Sequence, residues 1–271
     1  MHIPTTIPLL LFTLAPYVTA HGKVTHLTGS AGGNTTALGI IGGIVPNTGP
    51  NSETEVDTTV FKGGIKSDGL GKTEGGGENR VEDLWIARGL SDGGNGGVAL
   101  VGKEDGWVEG VWHVVVTDGA GPLKAVIDTT ASGSFSNGTE AEILLDIPGK
   151  NGNLNPDASI PRSLSLAALS TRTNHLLRRG AKTVNRDYTF RVAVAGDTKC
   201  EGKVAGLDGV CFMKIANENA AGPFGGVVAF QMVDGGTVNN GTRVVNGERV
   251  KCGNETMLVG QKRAVGKTFS A

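Results

Sequence analysis

The residues with the clearest chemical potential follow an apolar leader at the start of the chain. The leader extends from Ile7 to Ala20, is too short to span a bilayer, and has small residues at Val18 and Ala20, which is typical of a secretory signal peptide. Cleavage after Ala20 would make His21 the first residue of the mature chain. Its α-amino nitrogen and its imidazole could then chelate one metal ion. Alternatively, His21 is simply the first residue of the first strand.

Length and charge limit the class of protein. Removal of a signal peptide at 1–20 leaves 21–271, about 250 residues, which we assign to a single domain. The formal net charge of -1 argues against nucleic acid or an anionic membrane surface as the main partner. We find no second apolar run long enough to span a membrane. The sequence therefore predicts a secreted, extracellular protein, which we expect to be a monomer.

Glycosylation and a disulfide fit this compartment. N-x-[ST] sequons, which are acceptors for N-glycosylation in secreted proteins, begin at Asn34, Asn137, Asn240 and Asn254. The three cysteines leave one thiol over in an oxidising environment. Cys200 and Cys211 could close a hairpin-sized loop and leave Cys252 free. Alternatively, Cys252 pairs with one of them.

The pattern of apolar residues predicts an all-β fold. Glycine accounts for 44 residues, which disfavours helix and favours short strands joined by long loops. The clearest strand is Trp107–Thr117, where alternation places Val111, His113 and Val115 on one face and Trp112 and Val114 on the other. Further strands are expected at 21–28, 58–65, 122–129, 141–147, 188–195, 210–216 and 226–233.

The remaining segments complete a single antiparallel β-sandwich. We expect irregular chain over 30–50, a loop over 67–80, a strand or helical turn over 83–88, and a short helical insertion over 160–179. His26 lies five residues after His21 and would face the opposite side of a regular strand. We therefore expect His26 to be a surface or core residue.

Three blocks of the sequence carry a family pattern. They are His21-Gly22, WHVVVTDGAGPLKAVID from Trp112 to Asp128, and CEGKVAGLDGVCFMKIANENAAGPFGG from Cys200 to Gly226. Together they resemble the Egh-like family, which includes the GAS and MAS appressorium proteins of plant-pathogenic fungi. The family pattern has cysteines where this chain has Leu70, Ala125 and residues near Ile215 and Val227. Because these absences are even in number, whole disulfides are expected to be missing.

The resemblance implies a metal site. The terminal histidine and the sandwich pattern are similar to those of lytic polysaccharide monooxygenases, in which the terminal His and a second His hold one copper ion. Here His21 would supply two nitrogens and His113 the third, and copper(II) suits such a set. Asp118 could add an oxygen ligand. The alternatives are that His113 is a hydrogen-bonded core residue and that Asp118, which precedes a glycine, is a turn residue.

Three functions follow as hypotheses. The first is an infection-associated surface protein, active at appressorial penetration, that binds one copper ion at His21 and His113. The second is a copper-dependent polysaccharide monooxygenase that acts on cell-wall glycans. The third is a non-catalytic protein that binds the cell wall or the host surface. The few aromatic residues weaken the second hypothesis, since flat aromatic rings stack on glycans.

Overall fold

Two β-sheets stacked face to face form the body of the protein, which confirms the predicted all-β sandwich. The computed structural model describes residues 21–40, 49–90, 97–154, 183–234, 242–245 and 248–251. The strands are β1 (Gly22–Gly29), β2 (Gly32–Thr35), β3 (Thr59–Val60), β4 (Lys72–Thr73), β5 (Gly77–Glu78), β6 (Ala99–Gly102), β7 (Trp107–Val116), β8 (Leu123–Asp128), β9 (Thr139–Ala141), β10 (Ile143–Leu145), β11 (Thr183–Ala193), β12 (Gly202–Val204), β13 (Leu207–Asn217), β14 (Phe224–Val233), β15 (Thr242–Val245) and β16 (Glu248–Lys251). The helices are α1 (Asn51–Thr54) and α2 (Leu84–Leu90), with 3-10 turns at Val81–Asp83, Thr117–Gly119 and Phe135–Asn137.

The first sheet carries the predicted site residues. Within the described part of the chain it has five strands in the order β10-β11-β7-β1-β2, all antiparallel. The second sheet follows the path β5-β4-β3-β14-β13-β8-β9, with β12 on β13 and β6 parallel to β14. β15 and β16 pair as a separate hairpin.

The space between the sheets is filled by alternate residues of both. Val24, Trp112 and Val114 from the first sheet join Met213 and Ile215 from the second in one buried cluster. The predicted alternation of β7 is therefore confirmed, and His113 is left on the outer face of the first sheet. Cys200 and Cys211 form a disulfide beside this cluster, which is the first of the pairings that the sequence left open. Cys252 lies outside the described residues.

The second sheet is also buried on its outer face. Phe212, Val126 and Val227 contact a second apolar cluster contributed by the segment around Phe61 and by Leu84 of α2. Strands buried on both faces read as nearly continuous apolar runs, which explains the sequences of β13 and β14. The glycine-rich segment around Phe61 therefore covers the outer face of the second sheet.

Several local predictions are corrected. The segment predicted to be irregular over 30–50 contains β2, and the loop predicted over 67–80 contains β4 and β5. For 83–88, where the sequence left a strand or a helical turn open, the structure has helix α2, so the helical alternative is confirmed. Two of these strands have only two residues, too few for a periodic signal. The predicted helical insertion over 160–179 and the leader over 1–20 lie outside the described residues.

The four positions at which the resemblance led us to expect cysteines are apolar residues inside the fold. Ala125 and Ile215 are direct partners on β8 and β13, and both lie in the cluster between the sheets. Leu70 and Val227 lie together in the second cluster. All four residues are thus buried and apolar, and the absence of whole disulfides stays a prediction.

The sequons differ in exposure. Asn137 is exposed, as a glycosylated residue must be, whereas Asn34 is half-buried and its Oδ1 accepts a hydrogen bond from Thr28 Oγ1 at 2.7 Å. Asn240 and Asn254 lie outside the described residues, and glycosylation stays a prediction at all four. No helix among the described residues is both long enough and apolar enough to cross a membrane.

Candidate metal centre at the start of the first strand

His21 lies one residue before β1 and is fixed by the neighbouring strand. Its carbonyl oxygen accepts a hydrogen bond from Val115 N at 2.9 Å. The residues beside it must be glycines. A Cβ on Gly22 would lie 2.7 Å from the ring of Trp112, and one on Gly119 would lie 1.7 Å from the His21 carbonyl oxygen. The HG pair therefore fits a site where two backbone segments approach closely.

Asp118 meets His21 directly. It belongs to the 3-10 turn that follows β7, and its Oδ1 contacts His21 Nδ1. The His21 ring is buried and lies against Phe224, with 5.1 Å between the ring centroids. The structure thus brings together two of the three predicted ligands, because the end of β7 turns back toward the start of β1.

A second carboxylate, Glu55, faces the other nitrogen of the same ring. Glu55 Oε1 lies 3.7 Å from His21 Nε2, and the Glu55 side chain is only 4% exposed. Burial raises the pKa of Glu55 above its usual range; the nearby His21 opposes this rise, and the carboxylates of Asp118 and Glu74 add to it. Sequence reasoning missed Glu55 because it lies in a loop without a motif.

His113 lies in the middle of a polar row on the outer face of the first sheet. Its direct cross-strand partners are Lys23 on β1 and Asp187 on β11. His113 Nδ1 is 2.6 Å from Asp187 Oδ1, and Nε2 is 3.4 Å from Asn185 Oδ1. The hydrogen-bonded interpretation of His113 thus describes its present contacts.

His113 is also a diagonal neighbour of His21. Gly22 pairs with Val114, so His21 lies opposite Val115, two residues from His113 on the same face. Cβ atoms of diagonal neighbours lie roughly 7 Å apart. Two imidazoles at that spacing could reach one ion, although each ring nitrogen of His113 now faces another residue.

Residues 49–57 cover this face. Lys23 Nζ lies 2.6 Å from Asp57 Oδ1 and donates to Thr54 O at 3.3 Å. Asn185 Nδ2 donates to Gly49 O at 3.0 Å. Burial raises the pKa of Asp57 by more than the neighbouring Lys23 lowers it. These contacts bind the covering segment to the face that carries His113.

The expected placement of His26 is wrong in one respect. A bulge lies between Val24 and His26, which pairs with Val111, so His26 shares the outer face with His113 instead of facing the other side. It is nevertheless an exposed residue, as predicted, and its Nε2 contacts Thr28 Oγ1 at 3.1 Å.

The donors at this site fit copper only if a backbone nitrogen, the α-amine of His21, is one of the ligands. Among the described residues, no three His, Cys, Asp or Glu side chains are grouped so that they could hold a metal ion. Asp118 Oδ1 is buried and its partner among the described residues is His21 Nδ1, so a cation bound between these two side chains would be held by both. The additional donor would have to be the α-amine of His21, which exists only after cleavage before that residue.

The fold and the site together define a β-sandwich with a histidine and two carboxylates at the start of its first strand. Residues 19–225 match the family model described as "Egh16-like virulence factor". The chain belongs to this family, and the resemblance inferred from its sequence blocks is confirmed.

Two relatives in Pyricularia oryzae place the chain within the family. The appressoria-specific virulence factor GAS1 is 31% identical, over 80% of this chain and 74% of that protein. The appressoria-specific virulence factor GAS2 is 28% identical, over 80% of this chain and 84% of that protein. No solved structure matches the chain.

Proposed function

We propose that this is a secreted, infection-associated protein that binds one copper ion at His21 once the predicted leader has been removed. His21 would contribute its amine and Nδ1, Asp118 a carboxylate oxygen, and His113 a further nitrogen. The observation that carries the proposal is the contact between His21 Nδ1 and Asp118 Oδ1 in a buried site. Membership of the virulence factor family supports the role in infection.

The chemistry of the donors favours this ion. A free α-amine has a pKa of about 8 and gives up its proton readily to a metal near neutral pH. Copper(II) leads the affinity order for nitrogen donors in a tetragonal set, and bound copper would supply a one-electron redox centre. Phe224 packs against the His21 ring at a tilt, and the His21 side chain is buried.

Asp118 bears on the choice between binding and oxidation. A carboxylate beside His21 adds negative charge and fills a position that an oxidative site would leave open. The geometry therefore favours copper binding over polysaccharide oxidation as the primary activity. To receive the ion, His113 would exchange its 3.4 Å contact with Asn185, while Asp187 would continue to orient the ring through Nδ1.

The amine is tested by changing the N-terminus alone. The full-length gene is expressed in a eukaryotic secretory host, once unaltered and once with one alanine inserted before His21, and intact mass establishes each terminus. We expect the authentic protein to bind one equivalent of copper(II) and the extended one to lose most of this affinity. Equal, weak binding by both would refute the proposal, as would a mature chain that begins elsewhere.

Single substitutions then test which side chains bind the copper ion. Asp118→Asn and His113→Ala should each lower copper affinity and change the copper(II) electron spin resonance spectrum. His26→Ala is the matched control, because this exposed histidine lies on β1, next to β7, and on the same face as His113. An unchanged spectrum in His113→Ala would remove His113 from the ligand set and leave the other donors standing.

A wall-binding role is a second candidate, favoured by exposed apolar residues on α2. Trp85 is 59% exposed and Ile86 is 54% exposed, and exposed tryptophan rings can stack on sugars. Pull-down on insoluble wall glycans with Trp85→Ala tests this candidate. Mass analysis of glycans incubated with protein, reductant and peroxide tests the monooxygenase hypothesis, and oxidised products that require His21 would favour it.

A further inference from the structure

The turn that carries Asp118 is held by side-chain amides from the end of β13 and from the connection between β13 and β14. Asn219 Nδ2 donates to the Asp118 carbonyl oxygen at 2.9 Å, and Asn217 Nδ2 lies 3.3 Å from the same atom. Trp112 Nε1 donates to Gly119 O at 2.8 Å, and Asn217 Nδ2 donates to Ala120 O at 2.9 Å. Three successive carbonyl groups are thus each bound by a buried side chain.

The same two asparagines are fixed at their oxygen ends. Asn217 Oδ1 accepts from Phe224 N at 3.0 Å, and Asn219 Oδ1 accepts from Ala221 N at 2.8 Å. Asn217 is 2% exposed and Asn219 is 7% exposed. Buried amides with both ends bonded resist movement, because any displacement leaves polar groups unpaired.

The segment from Asn217 to Phe224 contacts both members of the His21–Asp118 pair. Its asparagines bind the backbone of Asp118, and the residue at its end, Phe224, places its ring against the His21 imidazole. Asn219 Nδ2 also lies 3.2 Å from Gly152 O, which ties a third segment to the same point. All three sequence blocks that carried the family resemblance therefore meet at the start of β1.

We infer that Asn219 and Asn217 are positioning residues, which hold the Asp118 carboxylate against His21 Nδ1 by fixing the backbone of the 117–119 turn. The expected change in copper affinity rests on the proposed function, but the positioning of Asp118 by the two asparagines does not require a metal. Partners of this kind behind a ligand typically change metal affinity by about 10- to 100-fold.

Asn219→Asp is the sharpest perturbation. It keeps the acceptor for Ala221 N but replaces the donor with an oxygen that repels the Asp118 carbonyl. Copper affinity is measured for the mature secreted protein in the wild-type and Asp118→Asn backgrounds, with circular dichroism and thermal unfolding to monitor the fold. Asn79→Asp is the matched control, because Asn79 Nδ2 likewise donates to a backbone carbonyl, Leu70 O at 3.1 Å, in another part of the protein.

We expect Asn219→Asp to weaken copper binding by about 10- to 100-fold in the wild-type background and to add little when Asp118 is already replaced. Asn79→Asp should leave the affinity unchanged. An equal loss in both backgrounds would overturn the inference, because it would show that Asn219 does not act through Asp118. If Asn219→Asp does not fold, Asn219→Ser, which is too short to reach the carbonyl, takes its place.

A measurement on the metal-free protein separates this inference from the proposed function. Long-range proton–nitrogen NMR reports the imidazole nitrogens of His21, and Asp118→Asn should move the Nδ1 resonance. Asn219→Asp should move it in the same direction. A resonance that stays at the wild-type position in folded Asn219→Asp would overturn the inference even if copper binds. Conversely, a wild-type protein that binds no copper refutes the proposed function, while the NMR result still decides the role of Asn219.

Discussion

The buried ion pair between Lys23 and Asp57 allows the strongest prediction about stability. The two side chains are 1% and 2% exposed, with Lys23 Nζ 2.6 Å from Asp57 Oδ1. Asp57→Asn keeps the shape of the side chain and removes its charge. The Lys23 ammonium would then remain in the protein interior with only uncharged acceptors, among them the Thr54 carbonyl.

The expected cost follows from this burial. Removing one partner of a buried pair typically destabilises a protein by about 3–5 kcal/mol, which corresponds to a fall in melting temperature of roughly 6–20 °C for a chain of this size. Lys23→Met should cost less. Burial already raises the pKa of Asp57, so the unpaired carboxyl can take up a proton. The double variant Lys23→Met/Asp57→Leu should lie close to wild type, because an apolar pair needs no compensation.

Thermal and denaturant unfolding of the four proteins tests this order. The matched control is Asp208→Asn, which breaks the Lys203–Asp208 pair at 3.2 Å, whose side chains are 81% and 80% exposed. An exposed pair contributes about 0–1 kcal/mol. The reasoning would be refuted if Asp57→Asn lost no more stability than Asp208→Asn, or if Lys23→Met proved the more damaging single variant.

Two further predictions concern the second sheet. Lys214 is buried with its Nζ 4.6 Å from the Phe61 ring centroid and 4.4 Å from that of Phe135, and burial, opposed by the nearby Asp68, lowers its pKa from 10.5 to about 8. Between about pH 8 and pH 10.5 the unfolded state binds more protons than the folded state, so the free energy of unfolding should rise with pH in this range. Relative to Lys214→Met, the rise in wild type should reach up to about 3 kcal/mol. Parallel pH profiles of the two proteins in denaturant titrations would contradict this. Replacing Cys200 and Cys211 by alanine should cost about 3 kcal/mol by freeing the loop in the unfolded state. Calorimetry compares this double variant with Cys252→Ser, which should retain wild-type stability. A similar loss of stability in the double variant and in Cys252→Ser would show that the Cys200–Cys211 bond is not the stabilising one.

The sequence predicted the long strands well and the short ones poorly. β7, β8, β13 and β14 each have enough alternating or continuous apolar residues to mark them. β4 and β5 have two residues each and exist because β3 and the second sheet offer them backbone partners. His26 shows the same limit, since one bulge reverses the face that simple alternation assigns to it.

The features of the candidate site also differ in whether the sequence alone could predict them. The sequence by itself determined the HG pair, the histidine inside β7, the turn that holds Asp118 and the family to which the chain belongs, because these are local patterns of residue type and spacing. Only the tertiary structure decided that Asp118 meets His21 and that Glu55 and Phe224 flank the same ring. It also decided that Lys23 pairs with Asp57, and that Asn217 and Asn219 bind the backbone of the 117–119 turn. The physical reason is that such contacts join residues 34 to more than 100 positions apart. Strand register and the course of the loops set these contacts, and neither is encoded by the residues immediately around each side chain.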